Sequence, residues 1–126
     1  MLVNMSGGKK VENIINEIVA PDLLWTNASP TSAFSGNISC EKYDGYLFEC
    51  RYSDTSEGTK RPAYISASDL ATDQYIFVDS SWLTSPTART VRYADGNLVF
   101  GIGRVNSATS NNYCIPLRIW GVKFTL

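Results

Sequence analysis

The stretch RTVRYADGNLVFGIGRV, residues 89–105, decides the fold class. Asp95-Gly96 stands between two runs of alternating character. A two-residue type I′ turn needs positive φ at both central positions, which this dipeptide supplies readily. Strands over 89–94 and 97–105 are therefore expected to pair antiparallel. Gly101 and Gly103 lie two apart, so they share a face and leave it bare where another backbone or side chain approaches.

The period of two extends outward from that hairpin. In YLFECRY (46–52) it places Tyr46, Phe48, Cys50 and Tyr52 on one face, with Leu47, Glu49 and Arg51 on the other. QYIFVD (74–79) repeats the pattern. In NNYCIPLRIWGVKF (111–124) strict alternation puts Cys114, Pro116, Arg118, Trp120, Val122 and Phe124 on one side. Ile115, Leu117, Ile119, Gly121 and Lys123 take the other, which is the expected core face. Pro116 has no amide to give a central ladder, so an edge or a bulge is expected there. Turn-forming clusters at 56–58, 66–73, 80–88 and 107–112 separate about seven or eight strands. The spacing predicts an all-β fold, an antiparallel β-sandwich or jelly-roll-like domain over 22–126. A parallel α/β sheet would need crossover helices that the sequence lacks.

Before Pro21 the period changes. KKVENIINEIVAP (9–21) sets Val11, Ile14, Ile15, Ile18 and Val19 along one helical face, and Pro21 ends the run. Residues 1–21 are thus read as an N-terminal tail and one short helix. Its stripe has two possible receivers: the domain's own sheet, or a three-stranded coiled coil with Val11, Ile14 and Ile18 at the seam.

The chain has 126 residues, 44% of them apolar, and a formal charge of −1. That is enough for one domain with its own core. Acidic and basic residues are scattered, so no basic stripe offers itself to nucleic acid. The longest apolar runs are a few residues, too short for a membrane span, and no secretory signal is visible. Cys40, Cys50 and Cys114 form no C-x-x-C pair. Each sits in a strand-like run, as a small buried hydrophobe does, with a 40–50 bridge or a reactive thiol as the alternatives.

The absence of histidine removes triad and Cys-His catalysis, and with it a zinc site. No cofactor is implied. Oxygen-ligand calcium binding around Asp69, Asp73 and Asp79 stays open, although SDLATD does not follow an EF-hand loop. Two of the twelve acids facing across a groove would make the arrangement that cleaves glycosides. Non-covalent recognition is better motivated. Three tryptophans, seven tyrosines and five phenylalanines are plentiful, and several fall in expected turns. Sugar recognition sets an aromatic ring against the apolar side of a pyranose and bonds the hydroxyls with Asp, Asn or Arg. Trp82, Asp79, Arg89, Tyr64 and Tyr43 are the candidate ligand-binding residues. Val11, Ile14, Ile18, Arg118 and Trp120 are the candidates for an oligomer interface.

Leu24, Trp25, Thr26 and Asn27 at the start of the β region, read with Asn112, Tyr113, Cys114, Ile115 and Pro116 at its end, carry a resemblance. The pattern resembles the C-terminal domain of phage and prophage tail, baseplate or tail-fibre proteins of Gram-positive bacteria. The resemblance implies a receptor-binding β-sandwich head on a helical neck: a homotrimer in the virion tail, partnered by a host-surface carbohydrate or by other tail proteins. Residues 55–95 depart most from the pattern, where variable loops would lie.

Overall fold

The computed structural model describes residues 20–81, 83 and 85–124. The helix expected over 11–19, with Val11, Ile14 and Ile18, lies outside them, as does Trp82. Among the described residues there are ten strands and one 3-10 turn, Asp69–Ala71. The strands are β1 (Asp22–Thr26), β2 (Asn37–Ser39), β3 (Gly45–Ser53), β4 (Ala63–Ser66) and β5 (Gln74–Val78). They continue with β6 (Thr87–Ala94), β7 (Asn97–Phe100), β8 (Arg104–Val105), β9 (Ala108–Thr109) and β10 (Tyr113–Val122). They form two antiparallel sheets, as expected of a β-sandwich. The front sheet runs β1-β10-β3-β4, and the back sheet runs β2-β7-β6-β8-β9 with β5 also paired to β6. The very short β2, β8 and β9 account for the excess over the seven or eight strands expected from sequence.

The hairpin forms as its turn chemistry requires, with Asp95 at φ 53°, Gly96 at φ 78° and Ala94 opposite Asn97. The second strand does not run unbroken to 105. It ends at Phe100, passes through residues 101–103 and returns as β8 against Thr87 and Ala88. The glycines explain the break. A Cβ on Gly103 would overlap the carbonyls of Tyr113 and Ser110, so the backbones meet there directly, and Ser110 N–H donates to the Gly103 carbonyl at 2.9 Å.

The core lies between the sheets. Tyr46, Phe48, Cys50 and Tyr52 of β3 point inward against Ile76, Val78, Val91, Leu98 and Phe100 of the back sheet. Burying such a side chain contributes roughly 1.5–3 kcal/mol, which lets the two sheets hold together without a covalent link. Phe34 and Phe48 both meet Phe100 edge-on, at 5.5 and 6.2 Å between centroids. All three cysteines are free thiols, Cys50 and Cys114 buried, so the 40–50 bridge is not formed.

Strict alternation fails in β10. Pro116 opposes Cys50 and Arg118 opposes Glu49, so Leu117 is an extra residue and the strand bulges. The bulge changes the facing of everything before it: Cys114 and Pro116 are buried with Cys50, while Arg118 and Trp120 stand on the outer face. Ile119 keeps its core position. Pro116 is tolerated because β1 has by then ended, its neighbour Asn27 bonding the Pro116 and Leu117 carbonyls from the side chain and the backbone.

Candidate functional site

Arg89 requires a correction first. It is expected from sequence to reach a ligand, yet it is wholly buried on β6. Its Nε donates to the Cys114 carbonyl at 2.8 Å. Its two terminal nitrogens reach the carbonyls of Phe34, Gly101, Asn111 and Tyr113 and the Asn111 side chain, at 2.8 to 3.3 Å. All five N–H groups are engaged. The Phe34 ring covers the guanidinium at 5.4 Å. Burial draws its pKa down, against the opposing influence of the Cys114 and Cys50 sulfurs. Carbonyl dipoles replace water around the cation, and Arg89 becomes a clasp joining the back sheet to β10 and the 27–36 loop.

Two other candidates do converge. Tyr43 and Tyr64 line one cleft of about 580 Å³ with Lys42, Asp44, Ser66 and Phe124. The cleft sits where β3 begins and β10 ends. Tyr64, on β4 opposite Leu47, lays its half-exposed ring across Gly45, where any Cβ would overlap it. Tyr43 lies likewise against Gly121 of β10 and meets Tyr46 edge-on at 6.0 Å, but it is a buried core residue, 8% exposed, so of the two expected ligand-contacting tyrosines only Tyr64 presents an open ring. Each ring is thus bedded on a strand glycine that supplies no side chain. The Tyr43 hydroxyl donates to the Asp22 carboxylate at 3.3 Å, and the Lys123 ammonium stands 4.9 Å from its ring centre.

Asp44 is the fixed polar group of the site. Its N–H donates to the Val122 carbonyl at 3.0 Å, its carbonyl accepts from Ala67 N–H at 2.9 Å, and its carboxylate accepts from Phe124 N–H at 2.7 Å. The residue is exposed and faces the cleft. Ser66 and Ser68 place their hydroxyls 3.1 Å apart on the opposite wall. Burial raises the phenol pKa of Tyr64, and the negative charges of Asp44 and Asp69 add to it. For Tyr43 burial comes first, then Asp22.

The remaining candidates lie elsewhere. Asp79 is exposed beyond β5, its carbonyl accepting from Thr59 N–H at 3.0 Å. Arg118 and Trp120 stand together on the outer front face, the guanidinium 5.5 Å from the indole centre. Arg118 also forks onto Glu49 of β3, at 2.6 and 3.1 Å. Asp69, Asp73 and Asp79 do not gather at a calcium-holding distance, and Asp73 instead faces Arg92 at 3.7 Å. Sequence reasoning missed Asp44, Ser66 and Ser68. The one available signal was Asp44-Gly45 directly after Tyr43, a turn dipeptide that carries its carboxylate at the mouth of a strand. Among the described residues no helix is long and apolar enough to cross a membrane.

Compared with family models, with curated proteins and with solved structures, the chain matches none. The resemblance to phage tail domains therefore rests on the strand and turn residues quoted for it.

Proposed function

We propose that this domain is a non-catalytic recognition module of a phage or prophage tail appendage, binding a host cell-surface glycan in the Tyr43–Tyr64 cleft. In this reading it works in the virion tail as a homotrimer joined through Val11, Ile14 and Ile18. One observation carries the glycan reading: a half-exposed tyrosine ring, a pinned carboxylate, two serine hydroxyls and a lysine share one open cleft. A pyranose stacks its apolar face on such a ring while its hydroxyls meet the polar groups. A glycan array combined with a bacterial-cell binding assay tests it. Binding to a defined surface sugar is expected; no binding by the folded protein to any host surface would sink it.

A second reading is a structural tail-tip domain that recognises other tail proteins. It is favoured by a row of four apolar residues in register across the outer front face: Leu23, Trp120, Leu47 and Tyr64. Leu23 and Tyr64 are 56% and 47% exposed, as at a surface awaiting a partner. Glycan cleavage is the weaker alternative. Glu49 and Glu57 share a groove, but each faces arginine or lysine, and neither has the apolar surroundings that prepare a general acid.

A further inference from the structure

The outer face of β3 carries a second concavity. At the end opposite the tyrosines, a groove of about 300 Å³ is lined by Asn27, Glu49, Arg51, Glu57, Lys60 and Arg118. We propose that this groove is a second subsite, taking a carboxylate or phosphate group carried by the same glycan chain; the ligand is then an acidic polysaccharide bound along β3. The proposal rests on the glycan reading of the first cleft for its polymer, and on the groove alone for its anion.

The charges in the groove favour an anion. Three cations face two carboxylates, in a chain whose formal charge is −1. Both Glu49 oxygens are held by the Arg118 fork, which takes Arg118's Nε and one Nη2 hydrogen. Arg51 and Lys60 are left to share Glu57. Its carboxylate reaches Arg51 Nη1 at 3.6 Å and Lys60 Nζ at 3.4 Å, both longer than a direct charge-assisted hydrogen bond. The Glu57 side chain is 64% exposed, so its pairs are weak and cheaply exchanged for a ligand anion. Arg51 is already placed for that exchange, its Nε anchored on the Ser53 carbonyl at 2.8 Å and its side chain only 14% exposed. Glu57 thus stands where an acidic group of the ligand would sit.

The two concavities are joined along β3. Gly45, Leu47, Glu49 and Arg51 alternate onto the same outer face of β3, and Trp120 lies beside Leu47 between the two concavities. From Gly45 to Arg51 the strand advances roughly 20 Å, a length that about four pyranose units cover. The apolar middle suits sugar faces, and the charged end suits an acidic substituent.

The full chain, labelled with 15N, tests this by NMR titration with three probes: tetragalacturonate, its neutral methyl ester and inorganic phosphate. Phosphate alone is expected to shift the Arg51, Glu57 and Lys60 signals in the wild type and to lose that effect in Lys60→Gln. Tetragalacturonate is expected to shift those signals together with Tyr64 and Asp44, and to bind about tenfold tighter than its ester at low salt. High salt and Lys60→Gln should each shrink that gap, and Glu57→Gln should widen it. Phosphate leaving the groove unmoved, or an acid-to-ester ratio of one in a wild type that binds both, would overturn the subsite. A phosphate response without binding of either oligosaccharide would support the subsite and count against the glycan reading alone.

Discussion

The ring of Tyr64 lies across Gly45, a neighbour on the adjacent strand that has no side chain to displace it. The aromatic wall of the cleft depends on that vacancy. Gly45→Ala should push the ring outward into solvent, since Tyr64 is half exposed and free to turn. The expected cost in stability is about 1–2 kcal/mol, typical of mild overpacking. Glycan affinity should fall much further than stability does, and thermal melting beside a binding titration would show the two changes separately.

Arg89 should behave as a structural residue. Arg89→Met removes a cation that holds five backbone carbonyls. Cys114 is fully buried, so its carbonyl loses a charge-assisted partner away from solvent, while the other four acceptors sit on partly buried residues. Denaturant unfolding should show a loss of about 3–5 kcal/mol. A variant within 1 kcal/mol of the wild type would mean that the clasp is dispensable.

Alkaline pH should destabilise the fold. The phenol pKa values of Tyr43, Tyr46, Tyr52 and Tyr93 are all raised, chiefly by burial. Below the unfolded value near 10 both states keep the proton and stability is unaffected. Above it the unfolded chain ionises while the folded one resists, so stability falls as pH rises, by up to about 1.4 kcal/mol per pH unit for each such tyrosine. Ultraviolet titration should show these phenols ionising late, together with loss of native structure. Smooth titration of all seven tyrosines near pH 10 in a folded protein would contradict this.

Thiol accessibility follows from the same packing. Cys50 and Cys114 are buried and Cys40 is partly exposed. Burial raises the Cys40 pKa, so even this thiol should react slowly at neutral pH. Mass spectrometry after mild alkylation should find one modified cysteine in the native protein and three after denaturation.

The alternating runs and Asp95-Gly96 made the all-β sandwich legible, because both signals are local. What sequence could not convey depended on long-range packing. The extra residue at Leu117 became visible only once β10 was set against β3, and it turned Cys114 and Pro116 inward, leaving Arg118 and Trp120 on the outer face that alternation gave them. Arg89 read as a surface cation because arginine is rarely buried alone; its carbonyl partners come from loops and from the start of β10, 12 to 55 residues away. Tyr64 was legible as an aromatic outside the core runs, whereas Tyr43, placed outside them by sequence, is buried in the core. Their convergence required β3, β4 and β10 to bring Gly45 and Gly121 beneath them.

The neck proposed for residues 11–19 has its own consequence. Light scattering on the full chain should give a trimer, and a truncation starting at Asp22 should give a monomer. A monomer in both forms would remove the coiled coil and leave the apolar stripe to the sandwich itself.

The most direct measurement is calorimetric titration of host cell-wall polysaccharide fragments into the wild type and Tyr64→Ala, with melting temperatures alongside. Binding by the wild type and a loss of at least about tenfold in the variant at unchanged melting temperature are expected, as removal of a stacking ring should produce. Equal binding by both proteins, or none by the folded wild type, would contradict recognition at the Tyr43–Tyr64 cleft.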